Sequence, residues 1–553
     1  MEHEKYYTFG FKVFPSVIAH PDANTSVKTF DHPVQSFYHD DFTCKPGRTY
    51  RYFFHPLKGK PKNLDRGARP IVIEVRMEAL YSELEHDVFF NRGVASSQAY
   101  VREFGNERPD QMVEEKRLRA LQWLSRDLDE AMLKFIADAR AGDTLLCCFY
   151  EFRYEPVADA LKAAIDRRVD VHIIMDAKVN ESTDSKGKFH PSFPRVDNLQ
   201  TVKDAGIPKA RVVLREAKPN NIAHNKFMVL LKGKKKKPTA TWTGSTNLSM
   251  GGIHGQTNVG HWVRDAGTAA AFQSYWNLLK DDPGPHDGDD ASTTRKENTA
   301  LRKSVEDLGQ TPTELAAIPA GITPVFSPRS GGGVLDMYAD LVADAEKLSC
   351  ITLAFGIGKV FKDVLKSKGG GGRISFFLLE KADKPAKNSK TPFVAINASN
   401  NVYKAWGSYL RGPLYQWARE TNAGALGLNQ HVSYIHSKFL LRDPLGLDPL
   451  VVTGSANFSA ASTNDNDENM LLIRGNQRVA DIYFTEFNRL FFHYYFRSVQ
   501  ETTLARLSAD EKRTGDQQSL FLAESDDWVK AYKAGSLKRK RVDIYLGMQG
   551  FER

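Results

Sequence analysis

Two short stretches combine residue types that can act together on a phosphorus ester. One is His224-Asn225-Lys226, with Gly244-Ser245-Thr246-Asn247 beginning 20 residues after the histidine. The other is His436-Ser437-Lys438, with Gly454-Ser455-Ala456-Asn457 beginning 18 residues after its histidine. A phosphodiester repels nucleophiles through its own negative charge. A neutral imidazole avoids that repulsion and gives a phosphohistidine, while a second imidazole protonates the leaving oxygen. Lys226 and Lys438 would neutralise charge building on the non-bridging oxygens, and the amides of Asn247 and Asn457 would donate to the same oxygens. Ser245 and Ser455 are expected to orient groups within the turn on the substrate side. On a strand, residues two apart project to one side, so each His-x-Lys brings imidazole and ammonium to one phosphate. The scheme needs no metal ion and no other cofactor.

The pattern around these stretches predicts two α/β lobes. Leu145 to Tyr150, the helical run Val157 to Ile165 and Val169 to Met175 read as strand, helix and strand, a unit that implies a parallel sheet buried on both faces. Strands at Arg211–Leu214, Lys226–Leu231 and Ala240–Thr243 carry this sheet into the first motif. A second set repeats the plan: a helix over Leu335–Ala345, strands at Ile351–Phe355 and Ile374–Leu379, the second motif, then Leu450–Thr453 and Met470–Ile473. The expected division is residues 1–85 as a small β-rich, sandwich-like domain, 86–280 as the first lobe, 281–299 as a polar linker, and 300–553 as the second lobe with a C-terminal extension.

A doubled His-x-Lys with G-S-x-N resembles the phospholipase D superfamily, and the resemblance spans roughly residues 115 to 500. It implies two pseudo-symmetric lobes in one chain, hence a monomer, and a phosphodiesterase. Members of that family usually carry Asp five residues after the lysine; Asp443 meets this in the second copy and is expected among the catalytic residues, and Leu231 stands there in the first. Eleven residues past each G-S-x-N asparagine lie Glu468 in the second copy and Asn258 in the first, with Gln256 close by. A carboxylate behind an imidazole raises its pKa. His436 backed by Glu468 is therefore expected as the general acid, and His224 backed by an amide as the nucleophile. That asymmetry is similar to the tyrosyl-DNA phosphodiesterase branch.

The substrate is left open. Hydrolysis of phospholipid headgroups to phosphatidic acid is the first expectation, a nuclease or DNA-end phosphodiesterase the alternative, and a silent phosphate-binding protein the third reading. A net charge of +9 suits a polyanionic partner, nucleic acid or a peripheral membrane surface. The run Lys232-Gly233-Lys234-Lys235-Lys236-Lys237 reads as a solvated hairpin, with an electrostatic lip beside the site as the sharper reading. No apolar run is long enough to span a bilayer and the N-terminus lacks signal-peptide character, which predicts a cytoplasmic protein. The four cysteines show neither zinc spacing nor a disulfide framework.

Overall fold

The structure, a computed structural model, describes residues 5–10, 12–21, 25–39, 41, 44–93, 98–105, 107–309, 311–368, 373–385, 393–407, 428, 433–506 and 521–547. Two seven-stranded sheets form its body. In the first lobe the strands are β1 (His86–Phe90), β2 (Thr144–Phe149), β3 (Asp170–Asp176), β4 (Val212–Arg215), β5 (Lys226–Lys232), β6 (Lys237–Gly244) and β7 (Val259–Val263). In the second they are β8 (Gly321–Ser327), β9 (Leu348–Leu353), β10 (Ile374–Leu379), β11 (Val402–Trp406), β12 (Phe439–Arg442), β13 (Leu450–Gly454) and β14 (Glu468–Arg474). The sheet orders are β4-β3-β2-β5-β6-β7-β1 and β11-β10-β9-β12-β13-β14-β8, the same order strand for strand.

Each sheet is mixed. β2, β3 and β4 are parallel, as are β9, β10 and β11, while every pairing from the motif strands outward is antiparallel. The expected parallel sheet is thus only half of each lobe. The motif strands enter through hairpins, and a hairpin connection requires antiparallel neighbours.

The inner sheet faces share one core. Phe227 packs on Phe272, which meets Phe326 across the lobes, and Tyr483 packs on both Phe90 and Phe439. Helices Ala266–Leu279 and Gln477–Arg506 supply Phe272 and Tyr483 to that core. Outer faces are covered by helices Leu128–Ala137 and Glu155–Asp166 on one lobe, Gly333–Ala343 and Lys359–Ser367 on the other. No helix among the described residues is long and apolar enough to cross a membrane.

Two boundaries differ from the sequence expectation. Residues 1–85 do not stack into a sandwich: among those described, three separate two-stranded ribbons form. Their side chains are mostly exposed, so they lack the second sheet a sandwich would bury. The expected linker ends early, because Asp290 caps a helix over Ala291–Glu306 that buries Leu301 and Val305 in the shared core. Threonines and charged residues dominate that helix, which hides its short apolar stripe.

Candidate active site

Both histidines lie where the two sheets meet, on segments held by backbone pairing to the opposite lobe. Ala223 bridges Asp467 and Ile435 bridges Thr257, both in parallel register. One residue further on in each strand pair, His224 therefore faces Glu468 and His436 faces Asn258. His224 Nδ1 lies 2.9 and 3.0 Å from the Glu468 carboxylate oxygens, and His436 Nδ1 lies 2.9 Å from Asn258 Oδ1.

This overturns the expected pairing of His436 with Glu468. Each backing side chain serves the histidine of the other lobe, an exchange that sequence offsets within one copy cannot reveal. Asn258, not Gln256, is the backing amide: Gln256 Oε1 has no hydrogen-bond partner among the described residues, and its backbone carbonyl accepts from Asn91. Asn91 Oδ1 in turn accepts the Asn258 N–H at 2.8 Å.

The hydrogen bonds fix both tautomers. Glu468 can only accept, so His224 donates Nδ1–H to it. Asn258 donates Nδ2–H to the Gly252 carbonyl and accepts from Ser245 Oγ, which turns Oδ1 toward His436 and makes His436 Nδ1 the donor. Neither Nε2 is engaged by these backing side chains.

The serines sit behind these pairs rather than on the substrate side. Ser245 Oγ donates to Asn258 at 2.8 Å and Ser455 Oγ to Glu468 at 2.7 Å. The glycines before them permit this. A Cβ on Gly244 would lie 2.2 Å from the Val259 carbonyl oxygen, and one on Gly454 2.2 Å from that of Asn469. Only glycine lets the backing strand approach so closely.

Lys226 and Lys438 are buried, and each Nζ donates to the carbonyl of its own histidine at 2.6 and 2.7 Å. Burial pushes the Lys226 ammonium down to about 7, against the pull of Glu468, and holds Lys438 well below its ordinary value. Burial likewise takes His224 down to about 4, opposed by Glu468. It places His436 well below the usual imidazole range, helped by Lys438, Lys226 and His224. Burial raises the Glu468 carboxyl, but His224, Lys226 and the Ser455 hydroxyl outweigh it and keep it ionised. Burial thus favours the neutral form of both imidazoles, which sit beside two buried lysine amines and one carboxylate.

Asn247 Nδ2 donates to Glu151 at 2.7 Å. Asn247 Oδ1 and Asn457 Oδ1 have no hydrogen-bond partner among the described residues.

Asp443 is elsewhere. It follows β12 at the end away from Lys438, about 16 Å along an extended strand. There its carboxylate accepts the backbone N–H groups of Glu346, Lys347 and Leu348 at 2.8 to 3.0 Å. It holds the turn into β9 and does not reach the histidines. In the first lobe Asp143 does comparable work from the start of β2, accepting from Gly233 and Arg140. Leu231, freed of that task, joins the shared core. The lysine-rich turn after β5 is likewise at the far end from His224, so it is no lip to this site. His431, Tyr415 and Trp417, a histidine and two aromatic residues that precede the second motif, lie outside the described residues.

Sequence reasoning missed the groups that hold the motif segments in place. Asp176, at the end of β3, accepts the Ala223 N–H at 2.9 Å and pairs with Lys178 at 3.0 Å. Glu380, just past β10, accepts from Ser433, Tyr434 and Ile435. Arg215, fully buried, bonds Asp467 across the lobes at 2.8 Å. Tyr150 lies with its ring 5.0 Å from the His224 ring and 5.3 Å from Lys226 Nζ. A carboxylate at the C-terminal end of each inner parallel strand was the available signal, since open α/β sheets place their sites there.

The model of the family described as "Cardiolipin synthase, PLD-like domain" matches residues 132–279 and 398–491, segments that include both His-x-Lys…G-S-x-N copies. Over these two segments the chain carries a phospholipase D-like domain. Among solved structures it is similar to the phosphatidylserine synthase of Haemophilus influenzae Rd KW20, at 12% identity over 72% of this chain and 93% of that one, with a TM-score of 0.44. Yeast tyrosyl-DNA phosphodiesterase is similar at 14% identity over 64% and 88% of the two chains, with a TM-score of 0.31. For the polyphosphate kinase of Porphyromonas gingivalis the identity is 10% over 66% of this chain, with a TM-score of 0.40, and the match spans 45% of the kinase's length. No curated protein sequence matches the chain.

Proposed function

We propose that the protein is a phosphodiesterase in which His224 is the nucleophile, His436 the general acid, and a phospholipid headgroup ester the substrate. The observation that carries this reading is the crossed pairing of His224 with Glu468 and His436 with Asn258. His224 Nε2 attacks phosphorus while Nδ1 keeps its proton, so the phosphorylated ring is cationic, and the Glu468 carboxylate at 2.9 Å stabilises that charge. The alcohol oxygen leaves with the Nε2 proton of His436. Water then attacks phosphorus, gives its proton to His436, and His224 is released with phosphatidic acid as product.

The crossed pairing moves the carboxylate to the other histidine from the one expected, and the roles stay the same. A carboxylate favours the histidine that becomes cationic by phosphorylation; an imidazolium backed by a neutral amide releases its proton more readily. His436 acquires that proton when an anionic phosphodiester lies between Lys226 and Lys438 and offsets the charges that depress it. Lys226 and Lys438 supply the positive field, so the chemistry runs without a metal ion.

Phospholipid is favoured by apolar groups at the histidine end of the sheets. Phe355, two residues past β9, is 66% exposed, and Val179 and Met250 are exposed at the same end. The carboxylate and amide asymmetry and the net positive charge support nucleic acid as the second reading.

The test is turnover on phosphatidylcholine vesicles and on single- and double-stranded DNA with EDTA present, beside His224→Ala and His436→Ala. Headgroup release lost in both variants supports the lipid reading. DNA cleavage lost in both moves the substrate to nucleic acid. Wild type inert on all of them leaves a phosphate-binding protein.

A further inference from the structure

The charge of the chain is concentrated far from the motifs in sequence. Residues 45–76 hold nine Lys or Arg (Lys45, Arg48, Arg51, Lys58, Lys60, Lys62, Arg66, Arg69, Arg76) against Asp65 and Glu74, a net +7 out of +9 for the whole protein. All nine are exposed. Among the described residues only Arg51 and Arg66 of these form ion pairs, with Glu74 and Asp31.

These residues form one long hairpin arm. Thr49–Phe54 pairs with Ile71–Arg76, and beyond it Lys58–Lys60 pairs with Asn63–Asp65 around a tip at Pro61-Lys62. Register decides the faces. Tyr50 opposes Val75, Tyr52 opposes Ile73 and Phe54 opposes Ile71, so one face is wholly apolar. The other carries Thr49, Arg51, Glu74 and Arg76, with Phe53 opposite Val72 toward the tip. Tyr50 and Tyr52 are half-buried, their hydroxyls bonded to Lys45 N–H and to Asp41. Phe54, Ile71, Ile73 and Val75 remain between 38% and 62% exposed.

A two-stranded ribbon does not hold itself together in water and normally lays its apolar face on something. The chemistry of this face says what. A basic rim around aliphatic and aromatic side chains matches an anionic bilayer, where Lys and Arg meet lipid phosphates and β-branched aliphatics enter the acyl boundary. Nucleic acid would use the same charges, but gains little from Ile71, Ile73 and Val75, which cannot stack on bases as aromatic rings do.

We propose that the arm over residues 45–76 is a membrane-docking element that seats the protein on anionic lipid surfaces. This goes beyond the proposed phosphodiesterase reaction and does not use it.

The experiment is co-sedimentation of the full chain with phosphatidylcholine vesicles, with and without phosphatidylserine, across a salt series. Two variants run beside it: Lys58→Gln/Lys60→Gln/Lys62→Gln, and Phe54→Ser/Ile71→Ser/Ile73→Ser. The wild type is expected to bind the phosphatidylserine vesicles and to release as salt rises. Each charge removed should weaken partitioning roughly fivefold, and the apolar variant should lose binding even at low salt. Unchanged circular dichroism shows that the variants are folded. Equal sedimentation of wild type and both variants overturns the proposal. So does retention of duplex DNA that falls with the basic variant while vesicle binding is absent, or a wild-type dimer that only the apolar variant dissociates.

Discussion

Glu468→Gln isolates the crossed pairing. The carboxylate is fully buried, accepts His224 Nδ1–H at 2.9 Å and Ser455 Oγ–H at 2.7 Å, and is the acidic group next to three buried cationic or potentially cationic nitrogens. Glutamine keeps the shape and can still accept one hydrogen bond, so the substitution removes charge and leaves geometry. A hydrogen bond to a charged group contributes about 1.5–3 kcal/mol, and this one strengthens as His224 becomes cationic. The loss should therefore appear in the step that phosphorylates His224, as a fall in kcat of roughly 10- to 150-fold, with little change in KM. The assay is steady-state turnover together with 15N resonances of the imidazole nitrogens. Glu468→Gln should move the His224 Nδ1 signal and leave His436 in place. A change confined to His436, or a kcat within about twofold of wild type, would show that Glu468 does not back His224.

Three further outcomes follow from other parts of the structure. Asp443→Ala removes the acceptor of three backbone N–H groups, so it should cost about 1–3 kcal/mol in denaturant unfolding while leaving kcat unchanged, whereas a catalytic Asp443 would lose activity in proportion. Gly244→Ala forces a Cβ against the Val259 carbonyl and displaces the strand that carries Asn258, so it should depress kcat through His436 with the fold intact by circular dichroism. In acid the sign is set by buried imidazoles: His86, His224 and His254 fall to about 4, below the 6.5 of the unfolded chain. Their neutral forms are favoured by folding, so the contribution is present above pH 6.5 and lost as pH falls toward 4; Tm should drop across that window, and a flat Tm would contradict it.

The lobes were legible because each strand run, such as Leu145 to Phe149 or Ile374 to Leu379, is continuously apolar between polar turns. Two copies of one motif then implied two copies of one sheet. Pairing across the lobes was not legible, because a parallel bridge such as Ala223 to Asp467 joins residues 244 apart and leaves no local pattern. Asp443 misled because a motif position marks recurrence and not location: the carboxylate closes a turn at the far end of its strand. The lysine run is the solvated hairpin its composition suggested; only its reading as a lip fails, since the hairpin lies at one end of β5 and the histidine at the other. The basic arm was visible only as two β-rich runs, and its continuous apolar face appeared with the register of Phe54 opposite Ile71.

The most direct measurement is covalent trapping of the phosphoenzyme. His436→Ala incubated with an activated phosphodiester, one whose leaving group needs no acid, should form a phosphohistidine that mass spectrometry of the digested protein places on the peptide containing His224. His224→Ala should form none under the same conditions. Label on His436 in the His224→Ala protein, with none on His224 in the reciprocal variant, would reverse the assigned roles and contradict the account.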